Sequence, residues 1–165
     1  MNRTSRAGFY AAGSYRPDES VGLLMKRVLG SIVAHAEARL RPYDVTHAQW
    51  QPLFRLREAG RPMPVVALAR ELRMDTGAMT RLIDRLEKKR LCRRVRSSDD
   101  RRIVLVELTR SGAEAAEIVP AVLGDVMNAH LAGFSRADWQ ALVQALLRML
   151  DNADAMQAPS SPDPR

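Results

Sequence analysis

From Val21 onward, Leu24, Met25, Val28, Leu29 and Ile32 recur at helical spacing, and Ala36 and Leu40 extend the stripe until Pro42 stops it. This pattern predicts one long amphipathic helix. Thr46 and Gln49 then form a capping box and Val45 and Trp50 a hydrophobic staple, so a second helix should run to Ala59 and end at Gly60, with a kink at Pro52. Pro62 to Pro64 is a short extended connector, and Val65 to Arg73 a third helix with Val66, Leu68, Ala69 and Leu72 inside. Met74 and Asp75 make a tight turn. Asp75 or Thr76 caps the next helix, which buries Met79, Leu82, Ile83, Leu86 and Leu91 and turns Arg81, Arg85 and Lys88 outward. Cys92 to Arg96 and Ile103 to Leu108 alternate as strands about the polar turn Ser97 to Asp100, a β-hairpin. From Thr109 a helix carries Ala113, Ala116, Val119, Leu123, Val126, Met127 and Leu131, with a bend at Pro120. The last helix opens on a Ser135–Asp138 capping box and a Phe134–Trp139 staple, and its stripe is Trp139, Leu142, Val143, Leu146, Leu147 and Leu150.

These elements give a mainly α chain with a small β-hairpin, an α+β winged helix-turn-helix flanked by helices at both ends. Residues 1–17 read as a flexible tail, 18–44 and 110–156 as dimerisation helices, 45–109 as the DNA-binding lobe and 157–165 as a disordered tail. The flanking stripes are too wide for a small three-helix core to cover, which predicts a homodimer through Leu24, Val28, Val126, Leu131, Trp139, Leu142, Leu146 and Leu150.

Composition fits a globular chain, at 46% hydrophobic and 27% charged residues. Charges interrupt every long apolar stretch, and no apolar core follows the N-terminal arginines, so neither a transmembrane helix nor a secretory signal is expected. Cys92 is the single cysteine, and with His35, His47 and His130 it forms no metal-ligand spacing. A cytoplasmic protein with no metal and no cofactor is the expectation. The formal charge of +7 favours polyanionic partners, and its location sharpens this: Asp75 to Arg102 holds ten Lys or Arg against five acids. A sixth of the chain thus carries most of the excess, as a nucleic-acid footprint does.

The residue types suit double-stranded DNA. Thr76, Gly77, Ala78 and Thr80 let the helix N-terminus sit close to a phosphate backbone, and Arg81 and Arg85 reach further, toward base edges. The alternative is a solvated face, with these arginines paired to Asp84 or Glu87. At the hairpin, Arg96, Ser97, Asp100, Arg101 and Arg102 complete the candidate surface. There the acids either brace an arginine for the minor groove or simply make an Asp-rich turn.

The run Leu72 to Thr109, LRMDTGAMTRLIDRLEKKRLCRRVRSSDDRRIVLVELT, resembles the MarR family of bacterial regulators. It carries that family's recognition-helix pattern, Thr80, Arg81, Leu82, Asp84 and Leu86, and its wing signature, Asp100 and Arg102 leading into Leu108 and Thr109. The resemblance implies an obligate dimer on a palindromic operator, with Arg81 the principal major-groove reader and Arg102 in the minor groove. It also implies a nucleoid-associated regulator, more commonly a repressor, released by a small aromatic or phenolic acid held between dimerisation helices and DNA-binding lobe. The nearest polar and aromatic candidates for that ligand are His35, His47 and Trp50, which otherwise read as an interface histidine, a solvated first-turn residue and the staple.

The glycine that usually ends the recognition helix is Arg90 here, so a left-handed cap would be strained or absent. Cys92 reads as a buried thiol or, if exposed among Lys89, Arg90, Arg93 and Arg94, as a redox sensor. A non-specific architectural DNA protein would account for the charge alone. An enzyme is not expected, because the chain has no Gly-rich phosphate loop and no Ser, His and acid grouping with motif spacing.

Overall fold

A computed structural model describes residues 8–11, 15–98 and 100–157, the last without its side chain. The chain divides into two units, residues 1–126 and 127–165. The first holds α1 (Val21–Leu40), α2 (His47–Ala59), β1 (Met63–Pro64), α3 (Val65–Glu71), α4 (Thr76–Lys88), β2 (Cys92–Arg96), β3 (Val104–Leu108) and most of α5 (Arg110–His130). The second holds the end of α5 and α6 (Arg136–Gln157). Among the described residues, no helix is long and apolar enough to cross a membrane.

Local signals account for most helix ends. Thr46 and Gln49 close the capping box of α2, and Gly60 ends that helix with φ 60°. Ser135 and Asp138 form the corresponding box of α6, and the hydrogen bonds from Ser135 hold the Asp138 carboxyl below its ordinary range. Pro52 and Pro120 lie inside unbroken helices. Helix α4 ends with Arg90 at φ 59°, where the Arg90 N–H donates to Glu87 O and the Leu91 N–H to Leu86 O. The left-handed cap is therefore present on a non-glycine residue, the strained form of the two expected. Helix α3 ends the same way on Arg73, at φ 50°.

The core of the first unit gathers Leu53 and Leu56 from α2, Leu68 and Ala69 from α3, and Met79, Leu82, Ile83 and Leu86 from α4 against Val106 of β3. Val66 was expected inside but is 64% exposed. The inner face of α3 is instead Val65, Leu68, Ala69 and Leu72, the i, i+3, i+4, i+7 set one residue out of phase with Val66. On α5, Ala113 is exposed, and Gly112, Ala115, Ala116 and Val119 face inward. The hairpin is part of a three-stranded antiparallel sheet of order β1-β3-β2, because the Met63–Pro64 connector pairs with Val106 and Leu105. Ile103 lies outside β3 and is exposed.

Part of the expected N-terminal tail is structured. Tyr10 Oη donates to Glu19 O and accepts the Val21 N–H at 2.9 Å, satisfying a donor that the start of α1 leaves open. Tyr15 Oη donates to Ser20 Oγ at 2.6 Å, and Ser20 caps α1. Residues 1–7 and 12–14 of that tail, Asp99 and residues 158–165 lie outside the described residues. Gln157, expected in the last tail, still belongs to α6.

Candidate nucleic-acid interface

Helix α4 follows α3 after a short turn, and its N-terminus is capped by Asp75, whose Oδ1 accepts the Ala78 N–H at 2.9 Å. Thr76, Gly77 and Thr80 are exposed in the first turn, and Ala78 is half-buried. Thr80 Oγ1 donates to Thr76 O at 2.8 Å, which leaves its oxygen lone pairs outward. A Cβ on Gly77 would lie 3.1 Å from Asp75 Oδ1, tighter than an ordinary contact, so the glycine leaves room for the capping carboxylate at the positive end of the helix.

Arg81 and Arg85, one turn apart and exposed, have no ion pair among the described residues. Asp84 and Glu87, the acids expected to neutralise them, are held by Arg94 of β2. Its Nη2 lies 2.6 Å from Asp84 Oδ1, its Nη1 donates to Glu87 Oε2, and its backbone N–H donates to Glu87 Oε1. Burial pulls the Arg94 pKa down, but hydrogen bonds to Asp84 and Glu87 outweigh it and hold the group above its ordinary value. Three of the ten cations in this segment serve internal contacts: Arg94, Arg93 through Glu107 at 2.6 Å, and Lys89 through Asp44 at 2.9 Å.

At the wing, Arg96, Asp100, Arg101 and Arg102 are exposed and Ser97 is half-buried. Asp100 does not brace the Arg102 guanidinium. Its Oδ1 accepts the Arg102 backbone N–H at 2.9 Å, and its carbonyl accepts the Ile103 N–H. Turn chemistry prevails because a carboxylate two residues before an amide reaches it without ordering a long side chain. The guanidiniums of Arg96, Arg101 and Arg102 have no ion pair among the described residues.

The three ligand candidates divide. His47 and Trp50 are half-buried with ring centroids 6.2 Å apart, and His47 Nδ1 and Trp50 Nε1 are buried without a hydrogen-bond partner among the described residues. His47 is thus not merely solvated. His35 is exposed on α1, its Nδ1 2.8 Å from Ser31 O one turn back. A separate cavity of about 500 Å³ is lined by Glu37, Arg41, Asp44, Thr46 and Lys89 among others, and none of the three candidates lines it. Cys92 is buried, and burial, reinforced by Glu87 against Arg94, pushes its thiol up to about 11. That environment disfavours the thiolate a redox sensor needs.

A family model described as MarR family matches residues 45–104. The chain is 37% identical over 109 residues to the multiple antibiotic resistance protein MarR of Escherichia coli (strain K12), covering 66% of this chain and 75% of that protein. The chain belongs to the MarR family. An uncharacterized HTH-type transcriptional regulator, YhbI of Bacillus subtilis (strain 168), is 38% identical over 81 residues, or 49% of this chain, which spans about half (52%) of that relative. A mutant MarR from Escherichia coli complexed with operator DNA superposes with TM-score 0.71 at 29% identity, over 78% of this chain and 92% of that one. Bordetella bronchiseptica BpsR, whose DNA binding is regulated by 6-hydroxynicotinic acid, superposes with TM-score 0.74 at 28% identity, over 83% and 97%. Members of this family are transcriptional regulators, and α3, α4 and the β2–β3 wing form the winged helix.

Sequence reasoning missed Arg94 and Lys89 as internal cations. A signal for Arg94 was present: with Asp84 and Glu87 on α4 and a strand following at once, one cation can reach both acids.

Proposed function

We propose that the chain is a ligand-responsive repressor that binds a palindromic operator as a homodimer and is released by a small aromatic or phenolic acid. The observation carrying this reading is the sorting of charge on α4. Arg94 draws Asp84 and Glu87 to itself, and Arg81 and Arg85 are left exposed without an ion pair among the described residues. Arg81 is the major-groove reader, Thr76, Gly77, Ala78 and Thr80 meet the backbone, and Arg102 with Arg101, Arg96 and Ser97 enters the minor groove. Dimerisation is supported by α6, whose described side chains are nowhere buried in the single chain, and by Leu24 and Val28 of α1, at 42% and 52% exposed. Leu131 and Leu146 are half-buried, whereas Val126 is already buried in the single chain and has no surface left to give a partner. His47 Nδ1 and Trp50 Nε1, without a hydrogen-bond partner among the described residues, suit a carboxylate or phenol oxygen on an aromatic ligand, since a buried polar atom without a partner is costly. Such a regulator works in the cytoplasm.

Footprinting and gel shifts on DNA upstream of the chain's own gene test this. A defined palindrome should be protected, with Arg81→Ala and Arg102→Ala each weakening binding by about 1–3 kcal/mol, and an aromatic acid such as 6-hydroxynicotinic acid should release it. Binding that ignores sequence, or is indifferent to both substitutions, would establish an architectural protein instead.

A further inference from the structure

Lys89 stands at the C-terminal end of α4, and all three protons of its ammonium are engaged: by Asp44 O at 2.7 Å, Asp44 Oδ1 at 2.9 Å and Gln49 Oε1 at 3.1 Å. The acceptors belong to the corner between α1 and α2. Asp44 turns that corner with φ 54°, and Gln49 is the buried partner of the α2 capping box, its Oε1 also accepting the Thr46 N–H. On the other side of the same helix end, Thr109 Oγ1 donates to Arg90 O at 2.6 Å and the Thr109 N–H donates to Leu91 O at 3.2 Å. Residues 89–91 are therefore gripped both by the corner that ends α1 and by the residue that starts α5.

We propose that Lys89 is a positioning residue for operator recognition: its ammonium fixes the end of α4 to the α1–α2 corner, and so sets the direction in which the dimer presents each recognition helix. This inference rests on the operator-binding dimer proposed above. Lys89 is not a phosphate contact in disguise. Its side chain is 26% exposed and its donors are used, in contrast to the exposed arginines at 81 and 85. In a two-fold dimer, the separation of the recognition helices decides which half-site spacing binds best. Loosening the strap should blur that choice without changing how many phosphates are touched.

The experiment uses the full chain, the footprinted palindrome, and versions with half-sites moved one base pair together or apart, over a salt series. Lys89→Met should bind the native spacing about tenfold more weakly and lose preference among the three spacings. Its salt slope should match the wild type, and Lys89→Arg should recover part of the loss. If Lys89→Met gives no cooperative melt, Asp44→Gly takes its place, since glycine keeps the left-handed corner and removes only the carboxylate. Unchanged affinity and spacing preference would overturn the proposal, as would a salt slope reduced by about one, the mark of a lost phosphate contact. Absence of sequence-specific binding by the wild type would overturn the operator reading itself and this inference with it.

Discussion

Gly112, in the first turn of α5, lies so close to Leu91 that a Cβ on residue 112 would sit 1.7 Å from the Leu91 carbonyl oxygen and 2.7 Å from its carbonyl carbon. The obstacle is backbone, which cannot swing aside as the tip of a long side chain can. The same carbonyl accepts the Thr109 N–H, and Thr109 Oγ1 caps Gly112 at 3.0 Å while donating to Arg90. The missing side chain thus allows the start of α5 to seat on Leu91, just past the end of α4.

Gly112→Ala should therefore cost about 3 kcal/mol or more, since it overpacks a backbone contact. Alanine would otherwise favour a helix by roughly 1 kcal/mol over glycine. Denaturant melts give the sign directly. A stability equal to or above the wild type would show that α5 and Leu91 separate without penalty.

Arg90 offers the converse case. It holds φ 59°, a region that costs a non-glycine residue of order 1 kcal/mol, and its side chain is exposed with no ion pair among the described residues. Arg90→Gly should relieve the backbone and raise stability by about 0.5–1 kcal/mol, less whatever entropy glycine adds to the unfolded chain. Thermal unfolding checks this, and a lower melting temperature would mean that Arg90 makes contacts outweighing its strain.

These two positions show what the sequence could and could not tell. The Thr46–Gln49 box, the Gly60 cap and the buried face of α4 were legible because each is set within a few residues of itself. Val66 was misplaced because a helix of seven residues has too few turns to fix its phase, and β1 was missed as a strand because two residues carry no period. Lys89 finds its partners 40 and 45 positions away, and no local pattern encodes that. Arg81, Arg85 and the wing arginines were legible as chemistry. Their freedom from Asp84 and Glu87 was not, because it depends on Arg94 arriving from the neighbouring strand.

Cys92 should be inert in the folded protein. With its pKa near 11, roughly one thiol in a thousand is ionised at pH 8, so iodoacetamide should modify the chain only on unfolding. The folded pKa lies above the ordinary value near 9, so the unfolded chain loses this proton first as pH rises. The group's contribution is fully present below pH 9, declines between 9 and 11, and totals about 3 kcal/mol once lost. Cys92→Ser should flatten that part of the stability profile. Rapid alkylation of the native protein at pH 8 would contradict the buried, protonated thiol.

Helix α6 leaves an apolar stripe uncovered in the single chain. Trp139, Leu142 and Leu150 are 39%, 40% and 54% exposed, and Leu147 is 47% exposed beside them. A stripe of this size seldom faces water, and Arg136 stacking over the Trp139 ring at 5.0 Å covers only one end of it. In the proposed homodimer these residues lie in the interface. Leu142→Asp and Leu150→Asp should then change the fold of a single chain little, because both sites are open, while placing a charge in an apolar interface. Sedimentation should show monomers at micromolar concentration, and operator affinity should fall about a hundredfold as two linked half-site contacts become independent ones. Circular dichroism separates this from unfolding, since a monomer that keeps its helices but loses the operator isolates the interface as the cause. A doubly substituted chain that still sediments as a dimer and still protects the palindrome would place the interface elsewhere, leaving the exposed stripe of α6 to some other partner.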